Sequence, residues 1–142
     1  MTPAYTPRHF RLEEFLPPKI HADLAAANAL WKGWLLLDER ILRTADALRE
    51  KFGALTVNNW HTGGDRDECG LRVPGMVNFK PYSQHSFGRA IDCISRSLTG
   101  EDMRKYVMAN RDQFPHATAM EQGVNWLHID CRNAPRITLV NP

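Results

Sequence analysis

The sequence has no apolar run long enough to cross a bilayer. Even the stretch Trp34 to Leu37 falls far short of the roughly 20 residues that a membrane helix needs, so no membrane span is expected. It also lacks a strong charge of one sign. The formal net charge is +2 and no lysine or arginine run forms a stripe, so a phosphate-tracking nucleic-acid surface is not expected. Cysteine is scarce. Cys69, Cys93 and Cys131 are odd in number and irregular in spacing, which argues against a disulfide framework and for reduced thiols. The start, MTPAYTPRHF, lacks the charged segment, apolar middle and small-residue cleavage site of a signal peptide, so the chain is expected to stay where it is made until something releases it. Internal repeats and low-complexity segments are absent too. What is present is ordinary globular composition, 43% hydrophobic and 24% charged, in 142 residues, a length that suits one domain.

Residues 1 to 18 read as an arm, with prolines around FRLEEFL and with Phe10, Leu12 and Phe15 available to pin it to a core. After Pro17-Pro18, the spacing of Ile20, Leu24, Ala27 and Trp31 predicts an amphipathic helix that Gly33 ends. Leu37, Ile41, Ala45, Leu48 and Phe52 repeat the pattern, with Gly53 as C-cap. ALTVNNW (54 to 60) has strand composition, and 61 to 82 is a long loop rich in glycine and proline. A strand is predicted over 88 to 95. Thr99-Gly-Glu-Asp102 then opens a helix expected to run to about Phe114, where Pro115 stops it. Short strands follow at 116 to 121 and 125 to 131, with a last apolar run, RITLV, at 136 to 140. This order argues an α+β fold, a small antiparallel sheet packed against helices.

Two segments carry unusual chemistry. In SQHSFGRAIDC (83 to 93), His85 and Asp92 stand on either side of Gly88, which permits a tight turn, and of the small Ala90. In MEQGVNWLHIDC (120 to 131) stand Glu121, Trp126, His128 and Asp130. A hairpin turning through Gly123-Val124, or through Gln122 to Asn125, sets Glu121 opposite Trp126 and Ala119 opposite His128. In either case Glu121, Trp126, His128 and Asp130 share one sheet face. Such a face is a poor plain core, because buried charges must be paired or bound to a metal. Two histidines and a carboxylate, His85, Asp92 and His128, form a three-ligand set for zinc with a position left open to water. Glu121 is then the candidate general base and Asp130 a partner behind a ligand or a substrate contact. Cys93 and Cys131, each one residue after a site aspartate, fall on the opposite face as core thiols.

The pattern SxHxxGxAxD (Ser83, His85, Gly88, Ala90, Asp92), followed by WxHxD (Trp126, His128, Asp130), resembles the M15 family of zinc peptidases. That family takes in D-alanyl-D-alanine carboxypeptidases, dipeptidases of the VanX and VanY type and phage L-alanyl-D-glutamate endolysins, and shares its fold with the hedgehog signalling domain. The resemblance covers roughly residues 55 to 132. It implies a hedgehog/DD-peptidase-like fold, zinc held by His85, Asp92 and His128, and an upstream acid as base. It also implies an arginine near the substrate carboxylate, with Arg72 in GLRVPG the candidate and Arg66 second. Many members place the catalytic glutamate three residues before the final histidine, whereas Glu121 precedes His128 by seven. Ser83, Gln84 and Trp126 are further candidates for substrate contact, against turn-shaping for the first two and ordinary packing for the third.

The expected activity is therefore zinc-dependent hydrolysis of peptidoglycan stem peptides by a monomer. The expected setting is phage lysis or a virion. The competing expectation is a zinc-binding domain without catalysis, serving as a phage structural or partner-binding module. His61, Asp65, Asp67, Glu68 and Cys69 form a rival cluster whose spacing fits neither an EF-hand nor a CxxC site, so a solvated loop is expected there. His9, His21 and His116 have no partner that the sequence identifies.

Overall fold

The computed structural model describes all residues, 1–142. The architecture is α+β. Helices α1 (Pro18–Ala26), α2 (Glu39–Phe52) and α3 (Gly100–Ala109) pack with strands β1 (Leu55–Thr56), β2 (Ala90–Ser95), β3 (Ala119–Glu121), β4 (Leu127–Asp130) and β5 (Thr138–Val140). The sheet order is β1-β2-β4-β3-β5, and every pair is antiparallel except β3 with β5, which run parallel. No helix is long and apolar enough to cross a membrane.

α2 forms where its apolar period and caps agree. The Asp38 side chain accepts from the Arg40 amide, Gly53 closes the far end at φ +78°, and Ile41, Leu42, Ala45 and Leu48 are buried. They join one core of 23 residues that also takes in the arm through Phe10, Leu12, Phe15 and Leu16. The arm is further tied by the Leu71 amide, which donates to the Phe15 carbonyl at 2.8 Å.

Three elements, α1, β1 and α3, are markedly shorter than their sequence patterns suggest. α1 stops at Ala26 because Asn28 turns left-handed at φ +51°; the chain resumes as a 3-10 turn over Leu30–Leu36. Gly33 does not end a helix. It lies inside that turn, beneath the arm, where a Cβ would sit 2.7 Å from Leu12 Cδ2. The 54 to 60 segment pairs only at Leu55 and Thr56, since Asn58 is drawn off by the Leu16 carbonyl and the Cys69 amide. α3 opens on the expected Thr99/Asp102 capping box but ends at Ala109, where the Asn110 side chain bonds back to the Tyr106 carbonyl.

The hairpin register also differs. Ala119 pairs with Asp130 and Met120 with Ile129, so the next step brings Glu121 opposite His128 rather than Trp126. The displacement is two residues, and a shift of two leaves every side chain on its original face. Residues 122 to 126 form an open connection in place of a tight turn.

Candidate metal centre

β2 and β4 are adjacent and antiparallel, with Asp92 paired to His128 and Ala90 to Asp130. Alternation turns these four residues to one face and sends Ile91, Cys93 and Ile129 to the other, into the core. Burial pushes the Cys93 and Cys131 thiols up to about 12, so neither is a ready thiolate. His85 reaches the same face from the turn before β2. Gly88 makes this possible at φ +66°, ψ +27°, with its missing Cβ directed at the Leu36 carbonyl oxygen, 2.1 Å away.

His85, Asp92 and His128 are all buried, and theirs is the one group of three or more His, Cys, Asp or Glu side chains whose ligating atoms converge. His85 Nε2 lies 3.3 Å from His128 Nδ1 and 3.3 Å from Asp92 Oδ1; His128 Nδ1 and Asp92 Oδ1 are 2.8 Å apart. A tetrahedral ion with ligand bonds of about 2.0 to 2.1 Å has edges of about 3.3 to 3.4 Å, so two sides already fit and the third is a hydrogen bond.

Each ligand is held from behind. His85 Nδ1 donates to the Gly70 carbonyl at 2.8 Å, which leaves the Nε2 lone pair facing the centre. His128 Nε2 is 2.9 Å from Asp130 Oδ2, and Asp130, fully buried, accepts from Arg132 Nε at 2.9 Å and Nη2 at 2.6 Å. Arg72 Nη2 donates to Asp92 Oδ2 at 2.9 Å. Outer partners of this kind fix tautomer and orientation at metal sites. The group can therefore hold a metal ion.

Glu121 stands on the rim, with Oε1 3.9 Å from His128 Nδ1. It lines, with His85, Asp92, Arg72 and Trp126, a cleft of about 340 Å³. Arg72, expected at a substrate carboxylate, spends Nη2 on Asp92 and Nε on the Glu68 carbonyl. Arg66 likewise gives Nε to the Val57 carbonyl and Nη2 to the Asp92 carbonyl. Lys80, which sequence reading passed over, is an exposed ammonium in the cleft wall. Ser83 caps the turn by accepting from the His85 amide, and neither it nor Gln84 lines the cleft. Trp126 does line it, with its indole Nε1 buried and unpartnered. In the rival loop cluster Glu68 accepts from Asn78. Arg132 was also missed, although an arginine two residues past Asp130 carries a readable charge pairing.

The metal-free electrostatics follow from the geometry. Burial opposes a charged His128, but hydrogen bonds to Asp130 and Asp92, with the Glu121 charge, outweigh it and push the imidazole up to about 9. Burial also opposes charged Asp92 and Asp130. Bonds from His128 and His85 hold Asp92 well below the carboxylate range, and bonds from Arg132 and His128 hold Asp130 down at about 2. With His128 raised above its ordinary 6.5, its contribution to stability is complete below that pH and lost as pH climbs through about 9. The depressed aspartates contribute above 3.8 and fail only in acid. Metal-free protein in chelator should thus lose melting temperature steadily between pH 6.5 and 9, whereas a bound cation replaces the Nδ1 proton and flattens the profile. A flat metal-free profile over that interval would show that His128 holds no such proton.

Searches against protein-family models, curated proteins and solved structures give no match to this chain, and the case for a metal centre rests on the converging side chains themselves.

Proposed function

We propose that the protein is a zinc-dependent peptidase that hydrolyses amide bonds in peptidoglycan stem peptides, as its sequence motifs suggest. The observation that carries this reading is the pairing of an oriented His-Asp-His set with a free carboxylate, Glu121, at 3.9 Å on the edge of an open cleft. A structural zinc site is closed by four protein ligands; here three side chains converge, and two of them, His85 and Asp92, line the cleft. The donor set of two imidazoles and one carboxylate suits zinc.

His85 Nε2, His128 Nδ1 and Asp92 Oδ1 would hold the ion. When bound, zinc supplies Lewis-acid polarisation of the scissile carbonyl and a water of lowered pKa. Glu121 takes the proton of the attacking water on Oε1 and returns it to the leaving amine nitrogen. Asp130 and Gly70 keep both imidazoles in the ligating tautomer, and the hydrogen bond from Arg72 keeps Asp92 aimed. With Arg72 and Arg66 engaged by the protein's own oxygens, Lys80 is the cation that meets a substrate carboxylate at the cleft wall.

Defined muropeptides incubated with zinc-loaded protein, followed by mass spectrometry of the products, test the reading. Cleavage at one stem-peptide bond, abolished by chelator and restored by zinc, is the expected result. Intact muropeptides from protein shown to carry one equivalent of zinc would sink it and favour the non-catalytic module.

A further inference from the structure

Arg104, on α3, is 5% exposed, an unusual burial for a guanidinium. Two of its nitrogens are spent on one short piece of backbone. Nη1 donates to the Trp126 carbonyl and Nη2 to the Val124 carbonyl, each at 2.7 Å, while Nε reaches the exposed Glu101 at 3.1 Å. Gly100, at the start of the same helix, presses against this loop so closely that a Cβ would lie 2.5 Å from the Trp126 carbonyl oxygen. The helix start is itself locked by the Thr99/Asp102 capping box.

The loop so gripped decides where Glu121 stands. Left to local preference, Gly123-Val124 makes a tight hairpin in which Glu121 faces Trp126. In the structure the carbonyls of Val124 and Trp126 turn to Arg104, the connection opens, and Glu121 moves two residues along the ladder to face His128. Two residues of strand are about 7 Å, enough to decide whether a carboxylate reaches the centre.

We infer that Arg104 is a positioning residue: its grip on Val124 and Trp126 sets the β3–β4 register that holds the Glu121 carboxylate beside His128. The inference deepens the peptidase reading and rests on it for its consequence in catalysis, but the grip itself is measurable without turnover. Glu121 adds negative charge next to the metal ligands, so Glu121→Gln should weaken zinc affinity by roughly three- to tenfold.

The experiment is a double-mutant cycle on zinc-loaded protein, with Arg104→Met, Glu121→Gln and the pair, read by zinc affinity, by kcat and KM, and by amide hydrogen exchange over residues 122 to 126. Arg104→Met should speed exchange in that loop, lower zinc affinity by about the same three- to tenfold, and lower kcat by about 10- to 100-fold with KM little changed. Added to Glu121→Gln it should do nothing more, because the carboxylate it places is already gone. Arg104→Lys, which can bond one carbonyl, should recover part of the loss. Fully additive effects in the double variant, or unchanged exchange in the loop, would overturn the inference. If Arg104→Met does not fold, Arg104→Lys is scored by the same criteria. Should wild-type protein hydrolyse nothing, the peptidase reading falls while coupling in zinc affinity and exchange still decides the role of Arg104.

Discussion

Asp92→Asn should bind zinc more than about 100-fold more weakly than the wild-type protein in a calorimetric titration and show no measurable hydrolysis. Loss of an outer partner alone costs metal sites about 10- to 100-fold, and here the ligand itself is changed. Asp92 is the hub of the centre. Its Oδ1 faces both imidazoles and its Oδ2 takes the Arg72 guanidinium, so an amide removes the charge on which three cations or ligands depend. The same change should destabilise the metal-free fold by about 3–5 kcal/mol, the cost of leaving buried charge without its partner. His85→Ala separates the two effects. It leaves Asp92, Arg72, His128 and Asp130 in contact, so metal binding should be lost with a smaller fall in melting temperature. Wild-type zinc affinity in both variants would mean that the ion sits elsewhere.

Glu121→Gln should behave in the opposite way. One equivalent of zinc remains, with affinity lower by roughly three- to tenfold, and the fold is unchanged, but kcat falls by about 10²–10⁴. The carboxylate is on the rim, about one-fifth exposed, with Oε1 3.9 Å from His128 Nδ1. It is therefore placed to handle a proton rather than to close the coordination sphere. A variant that turns muropeptides over at the wild-type rate with zinc bound would remove Glu121 as base. Asp130 would not replace it, since both its oxygens are already taken by His128 and Arg132.

Much of the centre was legible in the sequence alone. His85, Asp92 and His128 could be picked out by residue type and spacing, and the turn at Gly88 by its position between two ligands. The faces of the strands were legible for a stronger reason: alternation is a property of the backbone, so Asp92 and His128 on one side imply Cys93 and Leu127 on the other. That also explains why Glu121 was placed on the correct face despite a wrong register, because a slip of two residues does not change parity. The N-terminal arm was legible through Phe10, Leu12 and Phe15, whose burial needs a core that the rest of the chain supplies.

Other features depend on groups distant in sequence and could not be read locally. Gly33 looked like a helix stop, yet its reason lies in Leu12 and Leu16 above it. Arg72 reads in the sequence as the arginine nearest a substrate carboxylate; it lines the cleft, and folding also brings it to Asp92, 20 residues away, a contact no local pattern shows. The Gly70 carbonyl that orients His85 is backbone, invisible in any side-chain pattern. By itself the sequence determined the α+β class and the strand faces, which follow from periods of 2 and 3.6 residues, and the identity of the converging His85, Asp92 and His128, which follows from residue type and motif spacing. Only the tertiary structure decided the hairpin register, the partners of Arg72 and Arg66 and the distance from Glu121 to His128. The register and that distance are set by α3 and Arg104 gripping a loop 20 residues further on, and the arginine partners by contacts such as Arg72 with Asp92, 20 residues away; no local pattern contains those energies.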